Sequence, residues 1–423
     1  MRSQAVVSAR TVTVQLEARE MEWEIAPGQI VPGYGFNGQV PGPIIEGDVG
    51  DTLVVRLTNS LPEPTTIHWH GLRVPANMDG TEVVQHPVRP GETFEYRFTL
   101  PDAGTFWYHP HTNETIQLEK GLYGAFVVRA VGEPDLDGER ILVLDDLKLD
   151  RKGNLARFGG WKERHEGRLG ETRLVNGKAE PELDIAAGVI ERWRIVNASS
   201  SRYTLLSIGR RPFTILATDG GLIAEPVTAA NVLLTPGDRV DLAVGPFAEG
   251  ETIAVESLPY DRGMVKEKGG RYATVRVSQQ APSQAHIPTT LRPIEPLVTD
   301  DVSPNRTVNL QGRPSLQGVK WMVEGEPHHH ADPVRVGELQ VWDVVNETKM
   351  DHPFHLHGFF FQVLEANGTP PEILSWEDTI NVPAKGRVRI AWRPDNRPGS
   401  WMYHCHILEH HAAGMMAHFE VIP

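Results

Sequence analysis

Hydrophobic and polar residues alternate over short stretches of the chain, as in the sequence TLVVRL at positions 52–57. Alternation with a period of two is typical of β-strands that bury one face. The 33 prolines and 40 glycines interrupt these stretches and predict frequent turns. Because no long stretch has helical periodicity, the pattern predicts an all-β protein of sandwiches or Greek-key barrels. A β-propeller is the alternative, but no period of about 40 to 50 residues recurs often enough.

Length and charge narrow the class of protein further. At roughly 150 residues per domain, a chain of 423 residues corresponds to about three domains. No run of about 18 apolar residues occurs, so we expect no membrane-spanning helix. The formal net charge is -14. A nucleic-acid surface would need clustered basic residues, so we expect no nucleic-acid partner.

A long repeat relates the first third of the sequence to the last third. In each third a glycine and an acidic residue open a strand, an asparagine ends it, and two His-x-His motifs follow. The matching segments are Gly50-Asp51 and Gly337-Glu338, Asn59 and Asn346, residues 67–71 and 354–358, and residues 104–111 and 399–406. The repeat indicates two domains of common ancestry.

The middle third shares the scaffold of this repeat but not its histidines. Segment 188–197 and the sequence Pro-Gly-Asp at 236–238 resemble the other two thirds, yet no histidine stands at an equivalent position. We therefore predict domains at residues 1–131, 132–281 and 282–423. The last begins in the proline-rich stretch 281–305, which is typical of an extended linker.

Ten of the 18 histidines lie in four short clusters, at positions 68 and 70, 109 and 111, 352, 355 and 357, and 404, 406 and 410. In a strand, residues i and i+2 project from the same face, so each His-x-His pair directs two imidazoles to one place. Four such pairs would supply eight metal ligands. Copper, zinc, iron and nickel all accept neutral imidazole.

The only cysteine, Cys405, lies inside the last cluster, so the chain can form no internal disulfide. One thiolate, two imidazoles and a weak axial thioether are the ligands of a blue-copper site. His410 and Met415 follow Cys405 by five and ten residues, and His352 is the natural second imidazole because it stands apart from the 355/357 pair. Zinc is the chemical alternative, but a closed four-ligand zinc site would leave most of these histidines unused.

Together these motifs resemble the copper-binding signatures of multicopper oxidases, most closely those of bacterial three-domain laccases. The matching sequences are His-Trp-His-Gly at 68–71, His-Pro-His at 109–111, His-Pro-Phe-His-Leu-His-Gly at 352–358, and the segment from His404 to Met415. The resemblance covers essentially the whole chain. It implies three cupredoxin-like Greek-key β-barrel domains and four copper ions, one of type 1, one of type 2 and two of type 3.

The resemblance also implies a role for each motif residue. His352, Cys405, His410 and Met415 would hold the type 1 copper, with the edge of His410 nearest the outside as the point where electrons enter. His68 and His355 would hold the type 2 copper. The type 3 pair would take His70, His109 and His406 on one ion, and His111, His357 and His404 on the other.

Two further residues are singled out by position. Asp79, nine residues after His70, matches the acidic residue that in this family borders the type 2 copper and helps to deliver protons. The residue after the type 1 histidine is usually glutamate in bacterial members, and here it is His411. Either His411 takes over proton relay, or the relay runs elsewhere.

The implied activity is oxidation of small donors, one electron at a time, coupled to reduction of dioxygen to water. Family members that oxidise metal ions often carry a methionine-rich insert, whereas segment 259–264 contains only Met264. We therefore expect phenols and aromatic amines as donors, with cuprous or ferrous ion as the alternative. A copper-free structural relative or a smaller cupredoxin would lack part of the ligand set, and none is missing.

The remaining predictions concern other histidines and the setting of the protein. We expect residues 328–330, three consecutive histidines, to form an exposed loop, and we assign no role to His86, His165, His286 or His418. The amino terminus shows no secretory signal. Family habit nevertheless favours the periplasm or the exterior, with a lost or trimmed leader, and we expect a monomer.

Overall fold

The computed structural model describes residues 9–299, 302–315 and 318–423. Its strands in the first domain are β1 Thr11–Ala26, β2 Gln29–Phe36, β3 Ile45–Asp48, β4 Thr52–Asn59, β5 His68–His70, β6 Thr93–Thr99, β7 Gly104–His109 and β8 Gly124–Arg129. Those of the middle domain are β9 Gly138–Leu147, β10 Thr172–Val175, β11 Lys178–Ala179, β12 Glu182–Ala187, β13 Glu191–Asn197, β14 Thr204–Ile208, β15 Phe213–Thr218, β16 Gly221–Ala229, β17 Val232–Leu234, β18 Arg239–Val244, β19 Thr252–Leu258, β20 Tyr260–Asp261, β21 Lys266–Glu267 and β22 Gly270–Gln280.

The last domain has β23 Arg306–Ser315, β24 Gly318–Val323, β25 His329–His330, β26 Val334–Arg335, β27 Gln340–Asn346, β28 His352–Leu356, β29 Phe361–Ala366, β30 Thr379–Val382, β31 Arg387–Trp392, β32 Gly399–Cys405 and β33 Met416–Ile422. Helices in the described residues are short: α1 Glu114–Gln117, α2 Trp161–Glu166, α3 Leu408–Ala412 and a 3-10 turn at Ala76–Met78. None of them is long and apolar enough to cross a membrane. The all-β prediction is confirmed.

The same two-sheet plan is built three times. One sheet of each domain contains a parallel pair followed by an antiparallel strand, in the orders β1-β4-β6, β9-β13-β18 and β23-β27-β31. The facing sheet again begins with a parallel pair, in the orders β3-β8-β7-β5, β12-β22-β19-β14 and β25-β33-β32-β28. Strands that are neighbours in a sheet are often not consecutive in the chain, which is the Greek-key arrangement. The predicted cupredoxin-like barrels are confirmed.

One repeated asparagine shows why the sequence repeat is also a structural repeat. The side-chain amide of Asn59 donates to the carbonyls of Glu63 and Val88, both 2.8 Å away. Asn197 and Asn346 make the equivalent pairs of bonds in the middle and last domains. Each side chain is buried and binds two carbonyls from different segments of the chain, which a shorter or apolar residue could not do.

Three separate cores follow from this plan. The core of the first domain draws its buried side chains from residues 16–128, and the middle core from residues 142–277. The last core lies within residues 308–421, with Tyr203 and Val265 added from the middle domain. A smaller cluster around Trp107 and Leu408 joins all three domains. The predicted boundaries near 132 and 282 agree with this division and stay a prediction.

Candidate metal centres

The eight histidines of the four His-x-His pairs come from the ends of paired strands. In the first domain β5 pairs with β7, which sets His68 opposite His109. In the last domain β28 pairs with β32, which sets His355 opposite His404. Directly opposed residues project from the same side of a sheet. Each of the two domains therefore presents its imidazoles as one group.

The two groups meet face to face across the domain interface. The rings of His70 and His355 stack with centroids 3.9 Å apart, and those of His68 and His357 with centroids 4.0 Å apart. The rings at positions 111 and 404, and at 109 and 406, lie 5.5 and 5.6 Å apart. All eight side chains are buried. We call this set, residues 68, 70, 109, 111, 355, 357, 404 and 406, the eight-histidine cluster.

Most of these imidazoles have one ring nitrogen held and the other free. The Nδ1 atoms of His68, His109, His355 and His404 donate to backbone carbonyls at 2.9 to 3.0 Å. The nitrogens that are buried and have no partner are Nε2 of residues 68, 109, 111 and 355, Nδ1 of residue 70, and both ring nitrogens of residue 406. A buried ring nitrogen without a partner is costly in a folded protein. Metal ions that bind these nitrogens would remove that cost. Copper accepts neutral imidazole, so the residues of the cluster fit copper.

Two Nε2 atoms point directly at each other. Those of His357 and His404 lie 2.9 Å apart, and with His111 they form one of several three-residue groups whose ligand atoms lie within 4.8 Å of one another. Burial, followed by the neighbouring imidazoles, lowers the pKa of His70, His109 and His357 well below the ordinary value. The rings are therefore neutral, which is the form that binds metals.

Two aspartates fix the orientation of these rings from outside. Asp79 accepts a 2.8 Å hydrogen bond at Oδ2 from Nδ1 of His357, while its carbonyl accepts from His68. Asp378 accepts from Nε2 of His70 at 3.2 Å, and its carbonyl from His355. Carboxylates that hold the second nitrogen of a metal-binding histidine set its tautomer and direction.

The middle domain also contributes to the cluster, although it supplies no imidazole. Arg239, which is buried, donates to both carboxylate oxygens of Asp378, at 2.7 Å to Oδ1. Burial opposes the charge on Asp378, but Arg239 and the two histidines outweigh it and lower the pKa of Asp378. Gly237 has a φ of +96°, and a Cβ there would lie 3.0 Å from the ring of His70. The ligand-free domain therefore closes one side of the cluster.

The second predicted site lies entirely within the last domain. Sγ of Cys405 is 3.4 Å from Nδ1 of His352 and 3.8 Å from Nδ1 of His410, and those two nitrogens are 3.2 Å apart. Met415 is buried in the same core cluster as Cys405. The Nε2 atom of His352 donates to Thr348 at 2.8 Å, which leaves its Nδ1 for a metal. This set, residues 352, 405, 410 and 415, is the thiolate site.

Burial shapes the thiolate site in two ways. It raises the pKa of the Cys405 thiol and lowers the pKa of His352 to about 3, with the charge of Arg262 adding to the latter shift. The backbone N–H of Ile407 donates to Sγ at 3.4 Å. Without a metal the sulfur carries a proton, so the site needs a thiophilic cation to become a thiolate.

The edge of His410, which was predicted to lie nearest the outside, is not exposed to solvent. His410 is fully buried, and its Nε2 donates to the carbonyl of His165 at 3.2 Å, just inside α2. The ring of Trp321 covers it at a centroid distance of 3.9 Å and is itself held by a hydrogen bond to the carbonyl of Arg164. Helix α2 has only six residues and no long periodic pattern, so this cover could not be predicted from the sequence.

Strand β32 connects the two sites. Cys405 lies in the thiolate site, while its neighbours His404 and His406 belong to the eight-histidine cluster. Adjacent side chains of a β-strand project from opposite faces, so Cys405 and its two neighbours point to different sites. The sulfur and the two imidazoles are thus joined by a few covalent bonds.

His411 lies against the cluster rather than in solvent. Its ring stacks on His404 with centroids 4.2 Å apart, and its Nδ1 bonds to the carboxylate of Glu114 on α1. Both side chains are buried. The sequence pointed to His411 but not to Glu114, because Glu114 belongs to no motif and meets His411 only through the fold.

Four of the remaining histidines differ from expectation. Residues 328–330 do not form only a loop, because His329–His330 is β25, paired with β33 in parallel. This pairing sets His330 opposite His418, for which no partner was expected. His165 lies over the thiolate site, as described above. His86 and His286 are exposed, in agreement with the absence of a role.

Comparisons with known proteins identify the family. Residues 17–132, 154–249 and 299–423 each match a family model described as multicopper oxidase. The multicopper oxidase MmcO of Mycobacterium tuberculosis is 31% identical over 98% of this chain and 88% of its own. The laccase of Bacillus subtilis is 26% identical over 97% of this chain and 93% of its own.

Solved structures give the same result. A multicopper oxidase of Campylobacter jejuni, described as a metallo-oxidase, superimposes with a TM-score of 0.87 at 32% identity, covering 97% of this chain and 91% of its own. The McoA multicopper oxidase of Aquifex aeolicus gives 0.88 at 29% identity, covering 98% of both chains. Three cupredoxin-like domains with two joined histidine sites define a copper-dependent oxidase. The chain belongs to the multicopper oxidase family, which uses four copper ions, dioxygen and reducing substrates.

Proposed function

We propose that the residues singled out by their motifs hold the four coppers. His352, Cys405, His410 and Met415 would bind the type 1 ion, and His68 and His355 the type 2 ion. The type 3 pair would take His70, His109 and His406 on one ion, and His111, His357 and His404 on the other. The buried ring nitrogens without partners support this assignment. The observation that carries it is β32, which joins the thiolate site to the cluster.

Bound copper would supply one-electron oxidation of donors at the thiolate site and four-electron reduction of dioxygen to water at the cluster. The chain supplies the geometry for both. Cys405 and His410 are the catalytic residues through which an electron would pass, and the backbone on either side of Cys405 leads to His404 and His406. Because His410 is buried, electrons must cross the shell formed by α2 and Trp321.

Asp79 is the residue we propose for proton delivery. It is buried, and one carboxylate oxygen accepts from His357 while the other, Oδ1, has no hydrogen-bond partner. That free oxygen lies 3.4 Å from Nδ1 of His68. A carboxylate so placed can hold a proton beside the cluster and orient His357 at the same time.

Phenols and aromatic amines are the donors we propose. A cleft of about 740 Å³ opens beside the thiolate site, between α2 and α3, and its walls include Phe158, Val319 and Ala412. A single aromatic ring fits a pocket of this size and character. Arg164 and Lys320 also line the cleft and favour donors that carry a negative charge.

Oxidation of cuprous or ferrous ion is the second candidate. It is favoured by the cover over His410, which keeps large organic donors from touching that ring, and by the similarity to a metallo-oxidase. We also propose, from family habit, that the protein works in the periplasm or outside the cell, as a monomer.

Donor preference can be tested by kcat/KM for a dimethoxyphenol, for ferrous ion and for cuprous ion, each followed by oxygen uptake. We expect the phenol to be the best donor, and Lys320→Glu to lower its kcat/KM more for a carboxylated phenol than for a neutral one. Lys266→Glu, at an exposed position of β21, is the matched control. Metal-ion oxidation that is faster than phenol oxidation by tenfold or so would favour the second candidate.

A further inference from the structure

A second group of copper-type ligands lies on the surface of the last domain, outside both sites. β25 runs parallel to β33 with His330 opposite His418, and β32 lies on the other side of β33 with Met402 opposite His418. Directly opposed side chains on neighbouring strands share a face. Two imidazoles and one thioether thus stand in a row across three strands.

A second row runs beside the first. Met416 precedes His418 by two residues on β33 and so shares its face. Nδ1 of His328 lies 3.0 Å from Sδ of Met416, and the backbone N–H of His328 is held by the carbonyl of Gly414. We call these five residues, at positions 328, 330, 402, 416 and 418, the His–Met ladder.

The spacing within the ladder matches that of the assigned copper ligands. The rings of His330 and His418 are 5.7 Å apart between centroids. The corresponding distance is 5.0 Å for His352 and His410, and 5.7 Å for His70 and His109, and each of these pairs is assigned to one ion. Two imidazoles at this distance can ligate one ion without any movement of the backbone.

One side of the ladder is exposed to solvent, and the other contains a buried ring nitrogen without a hydrogen-bond partner. The residues at positions 328 and 330 are exposed, His418 is partly buried, and the two methionines are buried. Nδ1 of His418 is buried without a hydrogen-bond partner. Burial, with His330 and His411 nearby, lowers the pKa of His418 to about 4, so the ring is neutral and ready to bind a cation.

The donor types indicate which cation would bind. Thioether sulfur is a soft ligand that selects monovalent copper, whereas calcium, magnesium and manganese prefer carboxylate and carbonyl oxygen. No carboxylate belongs to the ladder. The carboxylate of Glu326 lies 3.8 Å from Nδ1 of the adjacent His329, and Glu420 follows His418 by two residues on β33. We propose that the His–Met ladder binds one monovalent copper ion, in addition to the four coppers of the family.

The ladder lies next to the eight-histidine cluster. Met416 lies opposite His404 in the register of β33 with β32. The surface row that contains His328 therefore ends beside an imidazole of the eight-histidine cluster. A cuprous ion held on the ladder would lie one strand pair from the cluster.

The site can be tested with silver(I), a monovalent ion of similar preference that does not take part in redox chemistry. Silver titrated into the copper-loaded enzyme, followed by calorimetry, should give one tight equivalent while the blue absorption stays constant. The His330→Ala/His418→Ala double variant should bind that equivalent at least about tenfold more weakly. The His86→Ala/His286→Ala variant, which removes two exposed histidines elsewhere, should bind it as the unaltered enzyme does.

A second variant separates thioether binding from imidazole binding. Met416→Leu keeps the buried apolar volume, so it should weaken silver(I) binding while zinc(II) binding changes little. Absence of a silver equivalent beyond the four coppers would overturn the proposal. So would equal affinity in the His330/His418 double variant, or equal weakening in the His86/His286 control.

Discussion

The first and last domains carry the same strand ending with one residue changed. β7 leads into His109-Pro110-His111, and β32 into His404-Cys405-His406. In both copies the two histidines reach the same cluster, where their rings lie opposite one another. The residue between them faces the domain interior, where one copy has a proline and the other has the thiol of the second site. The imidazole cluster thus needs both copies, and the thiolate site needs only one.

In the first domain, hydrogen-bonded polar side chains occupy the position that corresponds to the thiolate site. The repeat sets Thr65 where the last domain has His352, and its hydroxyl donates to Gln117 on α1 at 2.7 Å. Both side chains are buried. A hydrogen-bonded pair of neutral groups can replace the metal ligands with little change in the free energy of folding. One shared scaffold therefore supports either a metal site or a plain polar core, according to a few side chains.

The largest expected effect comes from removing the thiol. Cys405→Ser should abolish the blue absorption and reduce donor-dependent oxygen uptake to background, because serine oxygen is a poor ligand for this site. The volume hardly changes, so the fold should persist. Circular dichroism and copper content serve as controls, and we expect close to three coppers per chain. A blue protein after this substitution would mean that the thiolate lies elsewhere.

Asp378→Asn should have the next largest effect, because Asp378 joins the middle domain to the cluster. The substitution removes one of the two carboxylates that bind the buried Arg239, and Asp219 remains 3.2 Å away. We expect a loss of about 2 kcal/mol of unfolding free energy. Copper affinity at the cluster should fall by about 10 to 100-fold. Urea unfolding and competition with a copper chelator measure the two quantities. The control is Asp102→Asn, whose partner Arg73 is partly exposed, and equal effects in both variants would contradict this role.

Met415→Leu tests whether Met415 is the axial ligand of the thiolate site. Loss of the axial thioether should raise the type 1 potential while the blue absorption remains. Redox titration measures the potential, and oxidation of electron-poor phenols should improve in parallel. The control is Met350→Leu, a buried methionine of the same core. An unchanged potential would show that Met415 is not the axial ligand.

The smallest expected effect tests whether the cysteine alone makes the site. Pro110→Cys places a thiol at the matching position of the first domain, but Thr65 and Gln117 offer no imidazole there. We expect no second blue band and unchanged oxygen uptake, as judged from the absorption spectrum per copper. Pro110→Ala controls for loss of the proline ring. A doubled blue band would show that the scaffold, and not the histidine partners, determines the site.

The sequence predicted the parts of the centres that lie within motifs. The repeat of Asn59 and Asn346 indicated the shared scaffold, and Asp79 was found because it follows His70 at a fixed distance. Asp378 was missed because its contact with His70 spans 308 positions of the chain. The cover over His410 was missed for a related reason, since α2 has only six residues and belongs to another domain. Local patterns report strands and ligand spacing, whereas contacts between domains leave no local pattern.

The central claim is that the thiolate site and the eight-histidine cluster act as one unit. The most direct test is the amount of oxygen consumed per electron by the copper-loaded enzyme, measured with an oxygen electrode and a one-electron phenolic donor. We expect one dioxygen to be consumed for every four donor molecules oxidised, with no hydrogen peroxide released. Oxygen uptake that yields peroxide at one dioxygen per two donors, or a blue protein that oxidises its donor once and consumes no oxygen, would contradict it.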